Sequence, residues 1–173
     1  LAGCGYNDIQ RADEAVKASW SEVLNQYQRR ADLVPNLVET VKGYAKQEAE
    51  IFEAVAQARG ALAGAVSSGN LGQMSSASTQ LNGALGRLLA ISESYPQLKS
   101  NENFIRLQDE LAGTENRIAV ERMRYNEAVQ AYNTSRRTFP ANITNRIFSF
   151  KDYPFFEAPE SAREVPKVNF GKP

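Results

Sequence analysis

The sequence predicts an all-α fold, an elongated antiparallel bundle of three long helices plus a shorter C-terminal segment, resembling a four-helix bundle in outline. Two apolar stripes with helical spacing, one near each end of the chain, and two turn signals between them carry that prediction. The first stripe runs through Ile9, Ala12, Val16, Trp20, Val23, Tyr27, Ala31, Val34, Val38, Val41, Ala45, Phe52, Val55 and Leu62, in steps of three and four with one doubled step across Glu48. Read as continuous, residues 8 to about 60 make a rod roughly 75 Å long at about 1.5 Å per residue. Pro35 removes one bond from its ladder and is expected to kink it.

Glycine, alanine and serine crowd the stretch from Gly60 to Asn82, so the first reversal is expected near residues 66 to 75. A second helix carries Leu81, Leu85, Leu88, Leu89 and Ile91 and must end before Pro96, whose ring disfavours helical geometry at Tyr95. Ser100 or Asn101 then caps a third helix with Phe104, Leu107, Leu111, Thr114, Ile118, Tyr125, Val129 and Tyr132 inward, down to about Arg137. Beyond Pro140 comes an aromatic stretch, Phe148, Phe150, Tyr153, Phe155 and Phe156, expected to fold over an open end of the bundle. Residues 1–7 read as a tether, 8–157 as the helical body, and 158–173 as a Pro- and charge-rich tail expected to be disordered or draped.

Composition excludes several functions. Twenty basic residues balance twenty acidic ones in 173, so no global field draws in nucleic acid. The chain has no histidine, which rules out Ser-His and Cys-His dyads and imidazole metal sites. No pair of carboxylates is singled out for acid-base work, and the Gly/Ser-rich turn lacks phosphate-loop spacing. The expectation is a protein that is not an enzyme, with no catalytic residues, no metal site and no cofactor.

The opening Leu1-Ala2-Gly3-Cys4 resembles a bacterial lipobox, in which Cys4 is the lipid-attachment residue. Two acyl chains on one cysteine give stable anchoring, so the expected partner is a membrane, and the expected location is the bacterial envelope with the body outside the cytoplasm. One candidate polar seam is also legible: Arg29, Arg30, Asp32 and Asn36 on the first helix against Glu115, Glu121, Arg122 and Asn126 on the third. Such a seam serves either as a ligand site or as a device that fixes helix register, and register is the commoner use.

A set of motifs spread over all three helices carries a family resemblance. They are Tyr6-Asn7, the run from Arg29 to Val38 (RRADLVPNLV), Val41-Lys42-Gly43-Tyr44-Ala45, Ala58-Arg59 and Tyr95-Pro96-Gln97-Leu98-Lys99. The run from Glu110 to Ile118 (ELAGTENRI), Arg124-Tyr125-Asn126, Tyr132-Asn133 and Phe155-Phe156-Glu157 complete them. On these the chain resembles the LemA family over nearly its whole length. The resemblance implies long antiparallel helices, membrane anchoring at the N-terminus, and no established catalytic residue. Family members usually anchor through a transmembrane helix; here the lipobox-like sequence stands in its place. The reading is a membrane-anchored helical scaffold that holds an envelope protein partner. An envelope enzyme or enzyme subunit with its site in the polar seam, and a membrane-remodelling helical protein, are the alternatives.

Overall fold

A computed structural model describes residues 3–138 and 141–157, with side chains from residue 5 onward. The described residues are helical with no strand among them, and no described helix is long and apolar enough to cross a membrane. The expected tail, 158–173, lies outside the described residues.

Four long helices build the body. Helix α1 (Gly3–Lys42) and helix α5 (Glu102–Arg137) form an antiparallel pair: Asn103 Nδ2 donates to Thr40 Oγ1 at one end, and the Trp20 and Tyr125 rings meet near the middle. The buried positions of α5, Phe104, Leu107, Leu111, Thr114, Ile118, Tyr125, Val129, Tyr132 and Arg136, fall at steps of three, four or seven. The large apolar buried positions of α1 and Ala31, namely Ile9, Val16, Val23, Tyr27, Ala31, Val34, Leu37 and Val41, do the same, which is the seam of a coiled coil. At about 1.5 Å per residue the pair spans some 60 Å.

Helices α2 (Ala49–Ser68) and α3 (Leu71–Ala90) form a hairpin packed mainly through α2 onto α1. The hairpin tip is Gly69, whose φ of 67° is the left-handed conformation that suits glycine, followed by Asn70, whose side chain caps α3 by accepting from Gln73 N at 3.0 Å. That tip lies beside Trp20. The hairpin therefore covers the half of the α1/α5 pair beyond Trp20. A 3-10 turn (Ile91–Ser94) and the single-turn helix α4 (Pro96–Lys99) lead into α5, whose N-cap is Asn101, accepting from Phe104 N at 3.0 Å. The half of the pair nearer the N-terminus is covered instead by α6 (Ala141–Phe148) and by an extended strap, residues 149–157.

One expectation changes. The first helix is not one rod to residue 60: it ends at Lys42, and the chain turns through Gly43 to Glu48, with Tyr44 N and Ala45 N both bonded to Val41 O. The body thus has four long helices rather than three, and the reversal expected near 66 to 75 is the second one. The break was hidden because Ala45 and Phe52 are seven residues apart, which preserves a helical phase across a corner that contains no proline. Pro35 does not interrupt α1, which runs through it. The carbonyl four residues earlier, on Ala31, cannot receive a bond from a proline nitrogen and is met instead by Arg59 Nε of α2 at 2.9 Å.

Candidate functional site

Arg30 is the most deeply placed of the expected seam residues, only 4% exposed. It enters the core because it lies one step from the seam, between Tyr27 and Ala31, and its guanidinium crosses to Asn82 Oδ1 on α3. Burial pushes its pKa down, while Glu115 on α5 and Tyr27 oppose the shift. Burial pushes the Tyr27 phenol up, against the pull of Arg122 and Arg30. The Arg30 to Asn82 contact therefore ties α1 to α3, while Glu115, exposed on α5, acts on Arg30 only through its charge.

The other expected residues do not join them. Arg29, Asp32 and Asn36 are exposed on the outer face of α1, where Asp32 accepts from Gln28 at 2.9 Å within its own helix. Glu121 pairs with Arg124 at 3.0 Å, three residues along α5. Arg122 and Asn126 belong to a second constellation, centred on the strap. Cys4 falls in the first turn of α1, with its side chain outside the described residues.

The strap is held mainly through its backbone, as a bound peptide is held by a receptor groove. Asn126 clasps Phe156 from both sides, its Nδ2 donating to the Phe156 carbonyl at 3.2 Å and its Oδ1 accepting from Phe156 N at 2.9 Å. The Tyr125 hydroxyl donates to Pro154 O at 3.0 Å and the Tyr132 hydroxyl to Lys151 O at 2.6 Å. Arg136, buried at the end of the seam, donates to the carbonyls of Phe150 and Lys151 at 3.2 and 3.1 Å and to Asp152 at 2.7 Å. Arg122 donates to Glu157 O at 3.3 Å and lies over the Phe156 ring, 4.6 Å from its centroid. These donors recur at helical spacing along one edge of α5, so they meet successive carbonyls of a segment running alongside, with Lys151 O shared by Tyr132 and Arg136. Sequence reasoning found Arg122 and Asn126 but missed Arg136 and the two hydroxyls, because Tyr125 and Tyr132 read as apolar seam and Arg136 as the helix end.

A third contact secures the strap to α1. The Tyr153 hydroxyl donates to Asp13 Oδ1 at 2.6 Å, and Lys17 pairs with Asp13 Oδ2 at 3.0 Å. Burial alone would raise the Asp13 pKa, but the Tyr153 and Lys17 donors outweigh it and hold the carboxyl below its ordinary value. The Tyr153 phenol is pushed up, by burial and then by Asp13. A depressed carboxyl pKa stabilises the folded strap above the unfolded value of about 4, and that contribution is lost as pH falls through the folded value. Strap protection against hydrogen exchange should therefore drop as pH falls below the ordinary carboxylate range, and Asp13→Asn should flatten that drop.

Around the Phe156 end, Leu71, Ser75, Ser76 and Thr79 of α3 face Arg122 and Phe155 across an open groove of about 480 Å³. Among the described residues, no three His, Cys, Asp or Glu side chains converge to hold a metal. What the arrangement can do chemically is grip an extended peptide, and the peptide gripped is the chain's own.

The LemA family model matches residues 19–170. Two magnetosome proteins of Paramagnetospirillum magneticum, MamQ 2 and MamQ 1, are each 29% identical over 88% of this chain. The magnetosome protein MamQ of Magnetospirillum gryphiswaldense is 29% identical over 87% of it. The chain spans 64% of the length of each of these relatives. With the family's pattern matched from the middle of α1 to beyond the strap, the chain belongs to the LemA family.

Proposed function

We propose that the protein is a non-enzymatic helical scaffold, tethered to a membrane of the bacterial envelope through lipidated Cys4, that presents its long faces to an envelope protein partner. The observation that carries this reading is the use made of the polar side chains. Arg30 ties helices together, and Arg122, Tyr125, Asn126, Tyr132 and Arg136 hold backbone of the strap. Groups so engaged are occupied in building the body. The rod is long and only partly covered, with Val120 and Met123 of α5 and Phe155 of the strap exposed along one side. Exposed apolar side chains of this kind suit a partner surface. The relatives fit the reading, since their names assign them to the magnetosome rather than to a reaction.

The test is mass and partition of the full-length precursor expressed in a bacterial host, wild type beside Cys4→Ser. A diacylglyceryl mass on the cleaved wild type, with the variant uncleaved, is the expected result; an unmodified Cys4 in membranes sinks the lipid tether. Glu115→Gln, on an exposed carboxylate, should leave both the phenotype and the melting temperature unchanged. Loss of phenotype at unchanged stability would favour the enzyme reading instead. Charge reversals on the outer face of α5 should release a co-purifying envelope protein.

A further inference from the structure

At the end of the rod where α1 begins, four large apolar side chains stand in solvent together. Ile147 is 70% exposed, Phe148 60%, Ile143 52% and Tyr6 38%. Ile143 and Ile147 lie one turn apart on α6 and so share a face. Phe148 joins them to α1, its ring 5.4 Å from that of Tyr6, and Phe150 extends the cluster 6.4 Å from Phe148. The placement is built into the fold. Gly5 is buried against α6, and a Cβ there would come within 3.0 Å of the Ala141 backbone, so glycine is what lets α6 press against the first turns of α1.

The segment that carries the cluster is basic, and the nearest acidic residues on either side, Asp8 and Asp152, are paired with Arg11 and Arg136. From Arg136 to Lys151 the sequence contains Arg136, Arg137, Arg146 and Lys151 and no acidic residue, in a chain whose total charge is zero. Arg146 is adjacent to Ile147 and, like Arg137, exposed. A short helix with isoleucine and phenylalanine outward, a tyrosine beside it and arginines around it has the chemistry of a segment that lies in a lipid interface.

We propose that α6 and Tyr6 form a membrane-docking face, which seats the proximal end of the rod in the headgroup region of an anionic bilayer. The occupant is lipid because the face sits beside the first turn of α1, where Cys4 lies, and because its flank is basic. The proposal rests on the tether reading for its geometry. A lipid on Cys4 would hold this face at the bilayer, and the face would in turn set the angle at which the rod leaves it. The balanced charge of the whole chain, which speaks against general membrane binding, does not apply to this end.

The experiment separates the face from the tether. Full-length chain carrying Cys4→Ser, and therefore without any lipid, is floated with phosphatidylglycerol vesicles and with phosphatidylcholine vesicles. Binding should favour phosphatidylglycerol by on the order of tenfold, and Arg146→Gln should reduce it about fivefold. Ile143→Ser/Ile147→Ser/Phe148→Ser should reduce it by at least about tenfold, with the helical signal retained because all three side chains are exposed. A second arm couples wild-type Cys4 to a maleimide lipid in the same vesicles and follows hydrogen exchange over 141–150, where protection should appear on phosphatidylglycerol and vanish in the triple variant. No protection in the coupled arm overturns the proposal, whatever the fate of Cys4 in cells. A triple variant that instead converts a dimer to a monomer, or that frees residues 158–173 from α6, assigns the face to a second copy or to the tail and also overturns it.

Discussion

Arg59→Met should destabilise the bundle by about 2 kcal/mol, and most of that loss should vanish when Pro35 is replaced by alanine. The reason lies in what Pro35 does to α1. Proline has no N–H, so the Ala31 carbonyl, at a position with 0% exposure, has no partner on the ladder. Arg59 supplies one from the neighbouring helix, Nε to Ala31 O at 2.9 Å. Methionine keeps much of the arginine's apolar stem and removes the donor, leaving a buried carbonyl unpaired, which costs about 1 to 3 kcal/mol. Pro35→Ala restores the nitrogen that the carbonyl would bond, so Arg59→Met in that background should cost less than half as much. Thermal or denaturant unfolding of the four chains of the cycle gives the coupling directly. Equal costs of Arg59→Met in both backgrounds would mean that the bond replaces nothing, and the account of Pro35 would fail. The cycle also gives physical content to two of the family motifs, the proline-containing run of α1 and Ala58-Arg59 of α2, as halves of one contact.

Much of this architecture is legible in the sequence because its core is periodic. The inward residues of α5 are those the apolar stripe picks out from Phe104 to Tyr132, and its Asn101 cap is one of the two residues the sequence offers. The corner at Gly43 is not legible, since Tyr44, Ala45, Lys46, Gln47 and Glu48 all tolerate a helix and the apolar phase survives the turn. Only long-range contact distinguishes it: Asn101 Nδ2 donates to the Tyr44 hydroxyl at 3.0 Å, joining the two distal corners. The candidate seam divides for a related reason. Residues three or four apart share a face, so spacing groups Arg30 on one helix and Arg122 with Asn126 on the other as candidates for one seam. Spacing alone does not show which side of that interface each one meets. Arg30 meets α3, whereas Arg122 and Asn126 meet a segment some thirty residues further along the chain, at Phe156 and Glu157. No periodicity links that segment to α5, because its contacts are made through backbone carbonyls, which every residue carries.

The strap's dependence on α5 leads to the other large expected effect. Arg136→Met should cost about 3 kcal/mol and release the strap, whereas Asp152→Asn should cost no more than about 0.5 kcal/mol, although the Asp152 contact is the shortest that Arg136 makes, at 2.7 Å. Burial decides between them. Asp152's side chain is 90% exposed, so water screens its pairing and replaces it readily. Arg136's side chain is 10% exposed; it donates to two main-chain carbonyls and stacks 4.9 Å from the Tyr132 ring centroid. Removing the guanidinium takes a donor from the Phe150 carbonyl, leaves the Lys151 carbonyl with the Tyr132 hydroxyl, and loosens the segment that covers Tyr132. Hydrogen exchange over 150–157 should accelerate throughout in Arg136→Met and stay near wild type in Asp152→Asn, with melting temperatures following the same order. If Asp152→Asn loosens the strap as much as Arg136→Met does, the ion pair rather than the backbone grip holds it, and the likeness of this edge of α5 to a peptide-binding groove loses its basis.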